Sequence, residues 1–206
     1  MIIGFVGTIT DETNRSIRGC GKTCSMTGYA YLDYLNGKHI WSNYNTDFSE
    51  KVCGFQEMIN EIGQTPHPDH ILCISEMQQI LNSLGSSQQQ VLFIDMFASQ
   101  LRKLDVDLYY DTQRYKNIHL RMRVHTDYVM IPYKTHTDNS PCNNDRCMKD
   151  HKIFVYCHKP EGYKKWIKVF DAVRVGKHYD NKQIIFDELK IPKKGKGKKE
   201  DIQGDD

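Results

Sequence analysis

The residues best placed to do chemistry are Gly19-Cys20-Gly21-Lys22-Thr23-Cys24, which follow the apolar opening Met1-Ile2-Ile3-Gly4-Phe5-Val6. Glycines at this spacing let backbone N–H groups turn toward a phosphate, and a helix beginning at the lysine adds its positive N-terminus. A lysine there reaches the β- and γ-phosphates of a nucleoside triphosphate, and the threonine hydroxyl ligates Mg²⁺. Chance alone produces Gly-x-Gly-Lys-Ser/Thr in about 1% of chains of this length, so a nucleotide-phosphate site outranks an ordinary glycine turn. A full phosphate-binding loop has another glycine five residues before Gly21, where this chain has Ser16. The preceding segment, residues 8–18, is longer and more polar than the usual loop, and its Asp11, Glu12, Arg15 and Arg18 are candidates to reach the phosphates or a neighbouring subunit.

Ligands of open α/β sheets gather outside the carboxyl ends of the strands. Residues 71–74 read as a buried strand that ends in Ser75 and Glu76, and residues 106–110 as one that ends in Asp111, Thr112, Gln113 and Arg114. Those groups suit phosphoryl transfer: a carboxylate to orient the attacking water, a Gln to sense the γ-phosphate, an Arg to neutralise developing charge. Glu76 is the candidate catalytic base. Ser75 stands where an Asp that helps hold Mg²⁺ is usual, and it is the tentative second metal contact beside Thr23. Asp95 is a rival acid only if residues 88–104 form a strand. Arg102, Arg114, Arg121 and Arg123 are candidates for an arginine reaching a neighbour's site.

The elements that position these groups alternate strand and helix. Strands are expected at 2–6, 38–44, 70–74, 106–110 and 127–132, with helices at 22–35 and 55–62. The second helix carries Phe55, Met58, Ile59 and Ile62 on one face. Residues 88–104 are read as a helix for two reasons. Ile94, Phe97, Ala98, Leu101 and Leu104 fall at helical spacing, and too few residues separate Asp95 from the next strand for a parallel crossover. Strand–helix alternation predicts a mostly parallel sheet covered by helices. Beyond Tyr133 the texture changes. Residues 136–150 are polar, while 152–157 and 166–170 read as strands joined by a turn around Glu161-Gly162. Ile184-Ile185-Phe186 fits one more short element, and the composition from Lys193 onward is that of a disordered tail.

A length of 206 residues is one ordinary domain. A net charge of +2 gives no bulk electrostatic sign of nucleic acid. No apolar run is long enough for a membrane span, and no secretion signal opens the chain, so the expected compartment is cytoplasmic. In that setting the seven cysteines read as reduced thiols. Cys142-x4-Cys147, with His151, Cys157 and His158 nearby, has the residue types of a zinc knuckle, but its spacing departs from the stronger Cys-x2-Cys patterns, so free thiols are the default.

Taken in order, the phosphate loop, the strand Lys38-His39-Ile40-Trp41-Ser42-Asn43, the apolar strand ending at Glu76, the run Ala98 to Arg114 through Asp111-Thr112-Gln113, and Ile118-His119-Leu120-Arg121-Met122-Arg123 resemble the FtsK–HerA lineage of P-loop ATPases. The chain is similar to the small genome-packaging ATPases of archaeal and bacterial viruses and to the zonula occludens toxin-like proteins of filamentous phages. The resemblance covers roughly residues 1–133, with Ser16, Ser75 and the long loop before Gly19 as departures.

It implies an α/β P-loop NTPase fold with a mostly parallel central sheet flanked by helices. The ATPase domain would span 1–190, as a core at 1–133 and a β-hairpin extension at 134–190, with a Lys-rich tail at 191–206. It further implies an ATP- and Mg²⁺-dependent motor that moves double-stranded DNA by non-specific backbone contacts, as a homo-oligomeric ring such as a hexamer. Viral capsid proteins would be further partners, and the location the host cytoplasm or the virion. By the resemblance Gly19 to Cys24 bind nucleotide, Thr23 and Ser75 face the metal, Glu76 activates water, Gln113 senses the γ-phosphate, and Arg102 or Arg114 acts in trans. The alternatives are the soluble ATPase part of a filamentous-phage assembly protein, a nucleotide-binding module that does not hydrolyse, and a small-molecule kinase.

Overall fold

The computed structural model describes residues 1–8, 19–62, 67–83, 88–142, 144, 147–158 and 164–180. The long loop with Ser16, the Glu161-Gly162 turn, Ile184 to Phe186 and the Lys-rich tail lie outside them.

Eight strands form one sheet in the order β3-β2-β4-β5-β1-β6-β7-β8. β1 (Ile2–Thr8), β2 (His39–Ser42), β3 (Lys51–Val52), β4 (His70–Ile74), β5 (Asp107–Arg114) and β6 (Tyr128–His136) are mutually parallel. β7 (His151–His158) and β8 (Lys164–Asp171) continue it antiparallel beyond β6. The mixed α/β class is therefore as expected: a mostly parallel sheet flanked by helices, with a β-hairpin added at one edge.

The strands alternate their side chains between two packed faces, so both faces carry a core. On one face Ile3, Phe5, Ile40, Ile71, Cys73 and Tyr109 meet α1 (Lys22–Leu35) and α6 (Ala172–Gly176). On the other, Ile2, Trp41, Leu72, Ile74, Leu108 and Tyr110 meet α2 (Phe55–Ile62), α3 (Met77–Ser83), α4 (Gln88–Lys103) and α5 (Leu120–His125). Helices α1 and α2 occupy the expected ranges, the first after the Gly-rich loop and the second where its apolar spacing predicts it. α4 is a helix, with Phe97, Ala98 and Leu101 buried, so Asp95 lies inside it rather than at a strand end. The sequence reading misses the short elements β3, α3, α5 and α6. Each has few residues, too few for periodicity to register.

Gly4 sits where Tyr110 of the neighbouring strand crosses β1. A Cβ on it would lie 2.6 Å from the Tyr110 ring, so the fully buried tyrosine packs there only against glycine. Its hydroxyl shares a hydrogen bond of 2.9 Å with Thr126, which satisfies the polar tip of an otherwise apolar layer.

Candidate nucleotide site

The phosphate loop ends in two glycines with left-handed backbone, Gly19 at φ 62° and Gly21 at φ 94°. Gly21 is the N-cap of α1 and has no side-chain cap, so the first turn presents its N–H groups outward. A Cβ on Gly21 would also lie 2.6 Å from Ile153 of β7. The loop is therefore pressed against the antiparallel hairpin as well as set on β1. The Gly21 carbonyl accepts the Ser25 backbone N–H at 2.8 Å and the Ser25 hydroxyl at 2.7 Å, which tightens the first turn. Lys22 is buried at the start of the helix, and Thr23 follows it.

The group that organises the site is Asp111, which is fully buried at the carboxyl half of β5. Its carboxylate accepts the Thr23 hydroxyl at 2.6 Å and the Ser75 hydroxyl at 2.9 Å through one oxygen, and the Glu76 backbone N–H at 2.8 Å through the other. Three donors offset the desolvation of a carboxylate placed between two packed layers. Asn43, just past β2, holds Ser75 from the other side. Its side chain accepts the Ser75 N–H at 2.8 Å and donates to the Ser75 carbonyl at 3.1 Å. The ends of β2, β4 and β5 and the start of α1 thus meet in one hydrogen-bonded circuit at the carboxyl edge of the sheet.

Glu76 follows directly, half-buried, with a left-handed backbone at φ 56°. Such a conformation in a non-glycine residue is strained by about 1–3 kcal/mol and persists only where its surroundings enforce it. Here the Asp111 bond to its N–H does so, while the Gln78 side chain donates to its carboxylate. Ser75 and Asp111 project to the face that carries α1. Gln113, two residues beyond Asp111, shares that face by strand alternation and is half-buried. Arg114 is exposed at the last position of β5, in register with Thr8 of β1.

Arg102 lies elsewhere. It pairs with Asp127 at 3.2 Å, and Asp127 also accepts the N–H of Ile2, at the amino edge of the sheet. Arg121 is exposed beside α5's start, and Arg123 stands over the Tyr115 ring at 6.0 Å.

Two contributors escape the sequence reading. Asp111 is visible there as one of several polar residues after a strand, but nothing in its spacing separates it from Thr112 or Gln113. Asn43 reads as the end of a strand. A signal exists for the first: Ser75 lacks the expected carboxylate, and the adjacent strand carries an acid where its end would place it alongside. Cys24 is also buried, and burial pushes its thiol up to about 12, so it is a packing residue whose side chain stays neutral.

Beside the loop, a cavity of about 290 Å³ is lined by residues that include Cys20, Tyr133, Lys134, Asn139, Cys142 and Tyr156.

No protein-family profile matches the chain, and no curated protein does. The fold matches the N-terminal domain of zonular occludens toxin from Neisseria meningitidis, with a TM-score of 0.51 at 15% identity over 87% of this chain and 98% of that one. Two further structures score lower. The DNA-packaging ATPase of Sulfolobus Turreted Icosahedral Virus has a TM-score of 0.49 at 13% identity, covering 82% of this chain and 96% of that one. A KaiC-like protein from Pyrococcus horikoshii has 0.46 at 11%, covering 82% and 84%. The first likeness shows that the chain shares the fold of that zonular occludens toxin domain. No helix among the described residues is long and apolar enough to cross a membrane.

Proposed function

We propose that the chain is a Mg²⁺-dependent ATPase that drives double-stranded DNA translocation, in viral genome packaging, as a homo-oligomeric ring. The observation that carries the ATPase reading is the Thr23–Asp111–Ser75–Glu76 circuit. It puts the threonine of a phosphate loop, a buried carboxylate and a strained glutamate at one sheet edge. Mg²⁺ takes oxygen ligands and keeps several waters, and two hydroxyls backed by one carboxylate are a fitting donor set. Thr23 and Ser75 would face the metal, with Asp111 accepting from both hydroxyls and so turning their lone pairs outward. When bound, Mg²⁺ would neutralise charge on the β- and γ-phosphates.

The chain's own groups then divide the work. The Gly19-to-Cys24 backbone and Lys22 bind the triphosphate. Glu76, held by its strained backbone, accepts a proton from the attacking water. Gln113 senses the γ-phosphate from the same face of β5. Arg114, exposed at the carboxyl edge, suits a role at a subunit boundary better than Arg102, whose guanidinium is tied to Asp127 at the other edge. The cavity beside Cys20, with its Tyr133 and Tyr156 rings, suits a nucleobase.

Asp111, on the next strand, would supply the carboxylate that Ser75 lacks, which supports hydrolysis over a module that only binds. A second reading is the soluble ATPase part of a filamentous-phage assembly protein. The fold likeness, which spans 98% of the zonular occludens toxin domain, favours it. ATP turnover by the purified chain, with and without double-stranded DNA and alongside its mass in solution, tests both. DNA-stimulated turnover by an oligomer is the expected result. Turnover undiminished in Lys22→Ala would sink the ATPase reading, and DNA-indifferent turnover would move the weight to phage assembly.

A further inference from the structure

The hairpin edge carries a second constellation that nucleotide chemistry does not use. β6 ends at His136 and β7 begins at His151, and these two residues are direct partners in the antiparallel register. Their rings lie 5.0 Å apart, centroid to centroid. Residues 139–142 fold back on the hairpin. The His136 carbonyl accepts the Asn139 N–H, the His136 N–H reaches the Ser140 carbonyl, and the Cys142 N–H donates to the Lys134 carbonyl at 3.0 Å. This brings Cys142 against the histidine pair, with its sulfur 3.3 Å from His151 Nε2. Cys147 completes the group. One donor atom from each of His136, Cys142, Cys147 and His151 lies within 4.8 Å of every other.

We propose that these four residues form a tetrahedral zinc site that fixes the 137–150 excursion to the end of the β6–β7 hairpin. Two thiolates and two neutral imidazoles are the donor set that selects Zn²⁺ over Mg²⁺ or Ca²⁺, and they balance its charge. Zn–S near 2.3 Å and Zn–N near 2.0 Å require donor separations of about 3.3–3.8 Å in a tetrahedron, so side-chain rotation of the order of 1 Å closes the site. The spacing His-x5-Cys-x4-Cys-x3-His is compact, as in structural zinc loops.

Two further observations favour a metal over a chance meeting of side chains. Cys142 and His151 are both buried, so their polar atoms are withdrawn from water. The Nδ1 of His136 is buried with no hydrogen-bond partner among the described residues, a deficit that a purely structural histidine pair would not be expected to retain. Cys157 and His158, the other sequence candidates, lie at the far end of β7, about 20 Å along the strand, and Cys157 is a core residue.

The site also touches the nucleotide region. Asn139, Pro141 and Cys142 line the same cavity as Cys20 of the phosphate loop. Zinc would thus hold one wall of that cavity.

The test uses the whole chain, purified under reducing conditions without chelator. Metal analysis is expected to give one zinc per chain, and the zinc-stripped chain is expected to take one Co²⁺ with a thiolate-to-cobalt charge-transfer band and tetrahedral visible bands. Cys142→Ser and Cys147→Ser are expected to lose that band, while Cys53→Ser keeps it. Stripping zinc is expected to speed tryptic cleavage after Lys149 about tenfold, because the excursion opens locally. A wild-type chain that is folded by circular dichroism yet takes no stoichiometric zinc and gives no cobalt–thiolate band overturns the proposal. The wild-type spectrum decides this by itself, even where a variant fails to fold. An equal loss of the band in Cys53→Ser would place the metal elsewhere and overturn it as well.

Discussion

The parallel part of the sheet and its antiparallel edge solve the same problem differently. At the carboxyl edge of β4 and β5, the Thr23 and Ser75 hydroxyls and the buried Asp111 carboxylate find partners within the protein. At the end of the β6–β7 hairpin, the buried donors gather, but one histidine nitrogen remains without a partner among the described residues. The first site is wired before any ligand arrives, which suits a catalyst, because pre-set dipoles need no reorganisation during reaction. The second is complete only around a cation, which suits a staple for a segment with little core of its own. Gly21 joins the two: its Cα hydrogens lie where a side chain would strike Ile153 of the hairpin.

The sharpest break of this contrast is chemical. Glu76→Gln is expected to lower ATP turnover by about 10²–10⁴-fold while nucleotide binding, read by a fluorescent ATP analogue, stays within a few-fold. Turnover near wild type would remove the parallel edge from the chemistry.

Asp111→Ala asks whether that edge is wired as described. It strands two hydroxyls and one N–H in a buried place, and a loss of about 3 kcal/mol, or roughly 10 °C in melting temperature, is expected. A drop below about 2 °C, seen by calorimetry, would mean the circuit contributes little.

Gly21→Ala probes the joint. The left-handed φ and the approach to Ile153 together are expected to cost about 2 kcal/mol. The double variant Gly21→Ala/Ile153→Ala should relieve the clash but not the backbone strain. Full additivity of the two single losses in urea melts would show that loop and hairpin do not press on each other.

The smallest effect is alkaline. Burial raises the Cys24 thiol from an ordinary value near 9 to about 12. The folded chain therefore keeps a proton that the unfolded chain loses, and stability falls as pH rises from 9 toward 12, by about 1 kcal/mol per pH unit from this group. Cys24→Ala in reducing buffer should flatten part of that slope between about pH 9 and pH 10.

The long elements were legible for physical reasons. Helix α2 carries apolar residues at helical spacing, and β4 is an apolar run bounded by polar turns, so both patterns survive without tertiary knowledge, while α1 was marked by the loop before it and the Asn36-Gly37 stop after it. The phosphate loop was legible because lysine and glycine identities carry its mechanism. Placing Glu76 and Gln113 required only the rule that active groups gather at carboxyl strand ends, and the structure puts them at that edge. Arg102 shows the limit of such reasoning. A basic residue at a helix end carries no mark of which sheet edge it will face, and here Asp127 holds it at the amino edge.

The zinc constellation marks the same limit from the other side. Cys142, Cys147 and His151 stand out by type, but His136 reads only as the first residue of a polar run, and Cys157 is equally eligible. Strand pairing decided between them, because register sets His136 opposite His151 and sends Cys157 into the core.

The sequence by itself determined the phosphate loop, the mostly parallel α/β sheet and the polar strand ends, because each rests on local periodicity or on one residue's covalent chemistry. Only the tertiary structure decided that Asp111 backs both Thr23 and Ser75, that Asn43 clamps Ser75, and that His136 joins the cysteines. Those contacts join residues up to 88 positions apart in the chain, and their geometry follows from strand order and register, which no local pattern encodes.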